Sequence, residues 1–71
     1  MRAQRWQYRV DRREIAYLKF IVESYDNIAL VTTLDPRSGI VELQVPPGCE
    51  AVVKGLLADL GRRMIIQPLA G

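Results

Sequence analysis

From Arg5 to Val10 the chain alternates, with Trp6, Tyr8 and Val10 on one side and Arg5, Gln7 and Arg9 on the other. That is the period of a half-buried strand. The period then changes. Asp11 and Glu14 have the D-x-x-E spacing of a capping box, in which the cap carboxylate reaches the third helical amide and the glutamate reaches back. Beyond it Ile15, Tyr17, Leu18, Ile21, Val22 and Tyr25 fill one arc at about 100° per residue, and Lys19, Glu23 and Asp26 form a polar stripe. The spacing predicts an amphipathic helix that starts at Asp11 and ends near Asp26 and Asn27.

Ile28 to Leu34 is rich in β-branched residues, the segment from Leu34 to Gly39 carries turn chemistry, and Ile40 to Val45 alternates again. A hairpin is expected there. Pro46-Pro47-Gly48 stops its second strand, and Cys49, Val52, Val53, Leu56, Leu57 and Leu60 then line one face of a second helix, with Gly61 placed to end it. Met64 to Gln67 can form a short fourth strand, and Pro68, lacking an amide proton, fits only an edge position or the strand's end. The order β-α-β-β-α-β predicts an α+β, ferredoxin-like fold, an antiparallel four-stranded sheet with two helices on one face. In that topology the first and third strands are central neighbours. Arg5, Gln7 and Arg9 then share the uncovered face with Ile40, Glu42 and Gln44, where arginine and glutamate can pair across strands.

Length changes the picture towards association. With 71 residues, 49% of them hydrophobic, the chain can build one core, so a single ferredoxin-like domain over residues 1–71 is expected. A chain this short buries only about 60% of the surface its unfolded form exposes, so pairing with a second copy adds appreciably to stability. A homodimer, or docking to another protein, is the expected mode. Phe20 lies off the main apolar arc of the first helix. Ala51, Gly55 and Ala58 make a small-residue outer face on the second, where Gly55 costs about 1 kcal/mol relative to alanine unless something approaches closely. Phe20, Ile40, Ala51 and Gly55 are therefore the candidate interface residues.

Charge is uneven. Five arginines and one aspartate lie between Met1 and Arg13, although the whole chain carries only +2. Arg5, Arg9, Arg12 and Arg13 form a candidate basic surface, and nonspecific phosphate contact by such a row has a steep salt dependence. Sheets that bind single strands also need exposed aromatics for base stacking, and alternation puts Trp6 and Tyr8 on the face away from the arginines. Nucleic acid is accordingly a disfavoured partner. The absence of histidine removes Ser-His-Asp and Cys-His catalysis and leaves too few soft ligands for a zinc site. No enzyme, metal or cofactor is expected. Glu23 and Asp26 read as a solvated stripe, and Gly48 stands without the glycine spacing of a phosphate loop. Cys49, the one cysteine, excludes an internal disulfide and points to the cytoplasm. It sits where a helix dipole favours a thiolate, yet within the apolar arc, so packing as a small hydrophobe is the expected role. Gln7, Arg9 and Asp11 to Arg13 interrupt any signal-peptide core, and no apolar run approaches the roughly 20 residues of a membrane span.

The segment "DRREIAYLKFIVESYDNIALVTTLDPRSGIVELQVPPG", through its words "YLKFIVESYD", "VTTLDP" and "VPPG", resembles a group of short bacterial proteins classed as a domain of unknown function. The likeness runs from about Val10 to about Leu60. It implies a fold similar to the ACT and ferredoxin-like group, whose small members dimerise and bind amino acids where the first strand meets the first helix. By that resemblance Asp11, Arg12 and Asn27 are the candidate residues for a small-molecule ligand.

Overall fold

A computed structural model describes residues 3–25 and 28–69. The strands are β1 (Gln4–Val10), β2 (Leu30–Asp35), β3 (Ile40–Val45) and β4 (Ile66–Pro68), and the helices are α1 (Ile15–Ser24) and α2 (Glu50–Leu60). A 3₁₀ turn, Arg12–Glu14, joins β1 to α1. The four strands form one antiparallel sheet in the order β2-β3-β1-β4. This is the expected α+β arrangement of ferredoxin-like type, with β1 and β3 at the centre.

Register decides the faces. Trp6 lies opposite Leu43 and Tyr8 opposite Val41, and these residues join Val10, Val31 and Val45 on the covered side. Leu18 and Val22 of α1 and Val53, Leu57 and Leu60 of α2 complete the same cluster, so both helices cover one face of the sheet. Among the described residues, all ten buried hydrophobic ones are valine or leucine. The aromatic side chains lie around this aliphatic core and not within it.

Two glycines turn the chain at positive φ, and at Gly39 a side chain would also collide with Val10. Asp35 accepts bonds from the amides of Arg37 (3.0 Å) and Ser38 (3.3 Å), and the turn closes at Gly39 with φ +72°. There the Gly39 carbonyl accepts the Val10 amide at 2.8 Å, which ties the hairpin turn to the end of β1. Just before the turn the β2–β3 register shifts between Thr33 and Asp35, a bulge at Leu34. Gly48, at φ +91°, turns the chain into α2 and donates to Glu50 Oε1 at 2.8 Å. β4 lies at the sheet edge, as Pro68 requires.

Several local expectations are corrected. Asp11 does not reach the third helical amide: its carboxylate accepts from the Arg13 amide at 2.9 Å, and the Glu14 amide bonds instead to the Asp11 carbonyl at 2.8 Å. The tighter 3₁₀ turn takes that amide onto the backbone, so α1 starts only at Ile15. It ends at Ser24, whose hydroxyl donates to the Ile21 carbonyl at 2.6 Å. Tyr17, Tyr25 and Val52, expected on apolar arcs, are exposed, because each lies at or beyond the margin of the stripe that meets the sheet. Gly61 closes α2 in a right-handed conformation, φ −62°, and the chain continues through further turns to Met64.

Candidate functional site

At the junction of β1 and α1, both carboxylate oxygens of Asp11 are engaged. Oδ1 accepts from the Arg13 amide (2.9 Å) and Nε (3.2 Å), and Oδ2 accepts from the second guanidinium nitrogen at 3.0 Å. The Arg13 guanidinium and amide hold the Asp11 carboxyl below its ordinary value, and the carboxylate raises Arg13 in return. The pair is exposed and its contribution is screened. Arg12 is exposed beside it, and Asn27 lies outside the described residues. Beneath the junction the buried Gly39 backbone occupies the space next to Val10. The Asp11 carboxylate thus serves a turn and an intramolecular ion pair.

On the uncovered face, Arg5 lies opposite Gln44, Gln7 opposite Glu42 and Arg9 opposite Ile40, as alternation predicts. The expected arginine–glutamate pairs are replaced by others. Glu42 accepts from Gln7 at 3.1 Å and Arg9 donates to Gln67 at 2.9 Å, because direct register sets glutamine, not arginine, against the glutamate. Leu30 and Thr32 extend this face on β2 and Gln67 extends it on β4. No aromatic side chain stands on the face among the described residues. Arg5 and Arg9 share it, whereas Arg12 and Arg13 sit on the 3₁₀ turn, so the candidate basic residues divide between two places.

The candidate interface residues divide further. Ile40 is half-buried on the uncovered face, and Ala51 and Gly55 are exposed on the outside of α2. Phe20 projects from α1 with 70% of its surface exposed. Tyr17, one turn earlier, is its neighbour on the helix surface, and Tyr25 follows directly after the last turn; both are exposed. Sequence periodicity missed these two tyrosines as surface groups. The available signal was that Leu18 and Val22, with Ile15 and Ile21, already supply a face wide enough to cover the sheet.

Cys49 stands at the position before α2, half-buried against the core. Burial pushes the Tyr8 phenol up, and bonds from Ser38, its hydroxyl first, hold the Asp35 carboxyl down. Among the described residues no three cysteine, aspartate or glutamate side chains are grouped to hold a metal, and no helix is long and apolar enough to cross a membrane.

A family model described as a domain of unknown function, DUF4911, matches residues 8–64. The match takes in α1, the hairpin and α2. Comparison with curated proteins and with solved structures gives no match.

Proposed function

Because the chain belongs to the DUF4911 family, a domain of unknown function, we propose its role from its own surfaces: a small non-enzymatic interaction module that pairs with a second copy through the outer face of α1, centred on Phe20. One observation carries this reading. Three of the chain's five aromatic residues stand exposed on or directly after one helix of ten residues, while the buried core is wholly aliphatic. Aromatic side chains offer large contact area at low entropic cost and dominate interface energetics.

The surface suits a two-fold partner. α1 packs over β2, the edge strand, whose sequence LVTTLD carries no proline and no lysine to discourage pairing. A standard interface takes about 800 Å² from each partner, roughly a sixth of the 5025 Å² accessible surface. An α1 face alone is small for this, so the pairing we propose extends from α1 onto the β2 edge. A two-fold brings the same elements of both copies together. The lack of histidine supports binding over catalysis, and a single cysteine, which rules out an internal disulfide, suits a reducing cytoplasm.

Light scattering on a sizing column tests the pairing. The wild type is expected near twice the 8.1 kDa chain mass, and Phe20→Asp near the single mass with unchanged circular dichroism. A wild type that stays monomeric up to near-millimolar concentration, or a Phe20→Asp variant that remains dimeric, rejects the reading. Gly55→Ala is the companion experiment on α2. An added Cβ there meets nothing within 4 Å, so alanine should stabilise the helix by about 0.5–1 kcal/mol and raise the melting temperature by a few degrees. The mass should not change. Destabilisation, or loss of the dimer, would place the outer face of α2 in the interface instead.

A further inference from the structure

β4 is short. It pairs with β1 only over Tyr8 to Val10, and the Leu69 amide donates a last bond to the Gln7 carbonyl at 3.0 Å. Beyond that point, no described strand runs beside the Gln4–Trp6 part of β1 on this side. The gap opens a cleft of about 580 Å³ between the sheet edge and α2, lined chiefly by Arg5, Trp6, Tyr8, Lys54, Pro68 and Leu69. This is within the volume range of small-molecule sites. A second hollow, at Ala3, Ala29, Leu30, Gln44 and Pro46, is about 250 Å³ and has no charged side chain to orient a ligand.

The chemistry of the larger cleft is one-sided. Its apolar wall is the chain's single tryptophan with Tyr8, Pro68 and Leu69. The Trp6 indole N–H is already satisfied by Gln4 Oε1 at 2.9 Å, which fixes the ring. The Lys54 ammonium lies 5.6 Å from the Trp6 ring centroid, within cation–π range. The charged lining residues, Arg5 and Lys54, are both cations, and neither makes a side-chain hydrogen bond or ion pair among the described residues. Glu50 is one turn from Lys54 on α2, but its oxygens accept from Gly48 at 2.8 Å and from Gln4 at 3.4 Å. An apolar, aromatic wall with the Lys54 ammonium above it and Arg5 at the strand edge, neither with a carboxylate partner among the described residues, complements a small anion with a planar apolar body.

We propose that this cleft binds a small aromatic carboxylate, its ring against Trp6, Tyr8 and Pro68 and its carboxylate towards Lys54, with Arg5 at the strand edge adding positive potential. The site lies at the β4 edge of the sheet, away from the α1 face and the β2 edge, and does not depend on dimerisation. Trp6, Pro68 and Leu69 also fall outside the residues 8–64 matched by the family model, so the cleft is expected to be a property of this chain more than of the family.

Phenylacetate and 2-naphthoate are the probes, with phenylacetamide, phenethylamine and acetate as comparisons. Titration is followed through the one indole N–H signal in a nitrogen–proton correlation spectrum and by calorimetry. Expected is a saturable shift of the Trp6 signal with both carboxylates. Binding should be at least tenfold weaker for the amide, the amine and acetate, and tenfold weaker in Lys54→Gln, which keeps the fold and the aliphatic stem but removes the charge. Phe20→Asp should bind as the wild type does, which separates this site from the association surface. No saturable shift at 10 mM of either carboxylate overturns the proposal. So does equal binding of phenylacetamide, full affinity in Lys54→Gln, or a shift that maps away from Trp6 and Lys54.

Discussion

Gly39→Ala is expected to destabilise the fold by about 2–5 kcal/mol or more. An ideal Cβ at this position falls 2.0 Å from the Val10 carbonyl oxygen, a backbone atom that cannot rotate away. The backbone also sits at φ +72°, where an L-residue costs about 1–2 kcal/mol before any contact is considered. Relieving the overlap requires the hairpin turn to move off β1, and that movement breaks the 2.8 Å bond from the Val10 amide to the Gly39 carbonyl. The lost bond leaves a buried amide unsatisfied, at about 1–3 kcal/mol. These two terms sum to about 2–5 kcal/mol before the displacement of the turn itself is counted, a large share of what a domain of this length possesses, about 4–11 kcal/mol at typical values per residue. Gly48→Ala separates the two causes. Its φ of +91° is equally unfavourable, but nothing lies within 4 Å of the added Cβ, so a loss of only about 1–2 kcal/mol is expected. Urea titration by circular dichroism gives both values. If Gly39→Ala lost no more than Gly48→Ala, the seating of the hairpin turn on β1 would be wrong.

Leu43→Ala is the second large effect. Leu43 is fully buried at the centre of β3, with Trp6 opposite on β1 and Val31 opposite on β2. Its neighbours are held by two ladders of backbone bonds and cannot collapse into the space, so the cost combines the lost transfer energy with that of a cavity. Such substitutions cost about 2–5 kcal/mol. At roughly 4–8 °C per kcal/mol for a domain of this size, the melting temperature should fall by at least about 8 °C. Leu30→Ala, on the uncovered face with 52% of its surface exposed, should change it by only a few degrees, since exposed substitutions stay within about 0.5 kcal/mol. Both are measured at one protein concentration, because association adds a concentration-dependent term. Equal losses at the two positions would contradict this assignment of the covered and uncovered faces.

These contrasts follow the division between local and distant causes. Alternation along β1 and β3 follows from the two-residue period of extended backbone, which is why the side of the sheet taken by Trp6, Tyr8 and Val10, and that taken by Arg5, Gln7 and Arg9, were legible before any fold was known. Chain order with right-handed crossovers then limited the topology to one with β1 and β3 as neighbours. The exposure of Phe20 followed from helical period alone. The Asp11 partner was harder to read. The D-x-x-E spacing admits both a capping box and a 3₁₀ turn, and the nearby Arg13 guanidinium competes for the carboxylate.

Element order, the two faces of the central strands and the valines and leucines of the core stripe could be read from the residues alone, because each depends on backbone period and short-range turn chemistry, whereas the aromatics read with them as core stand outside it. The tertiary structure alone decided how far round each helix the burial extends, and so left Tyr17, Tyr25 and Val52 exposed. It alone brought Gly39 against Val10, Gln67 to Arg9 and Lys54 to Trp6. The physical reason is the same in each case. Those pairs are far apart in sequence and meet only when strand register and the seating of α2 over the sheet are fixed, and neither quantity is encoded in the period of any one segment.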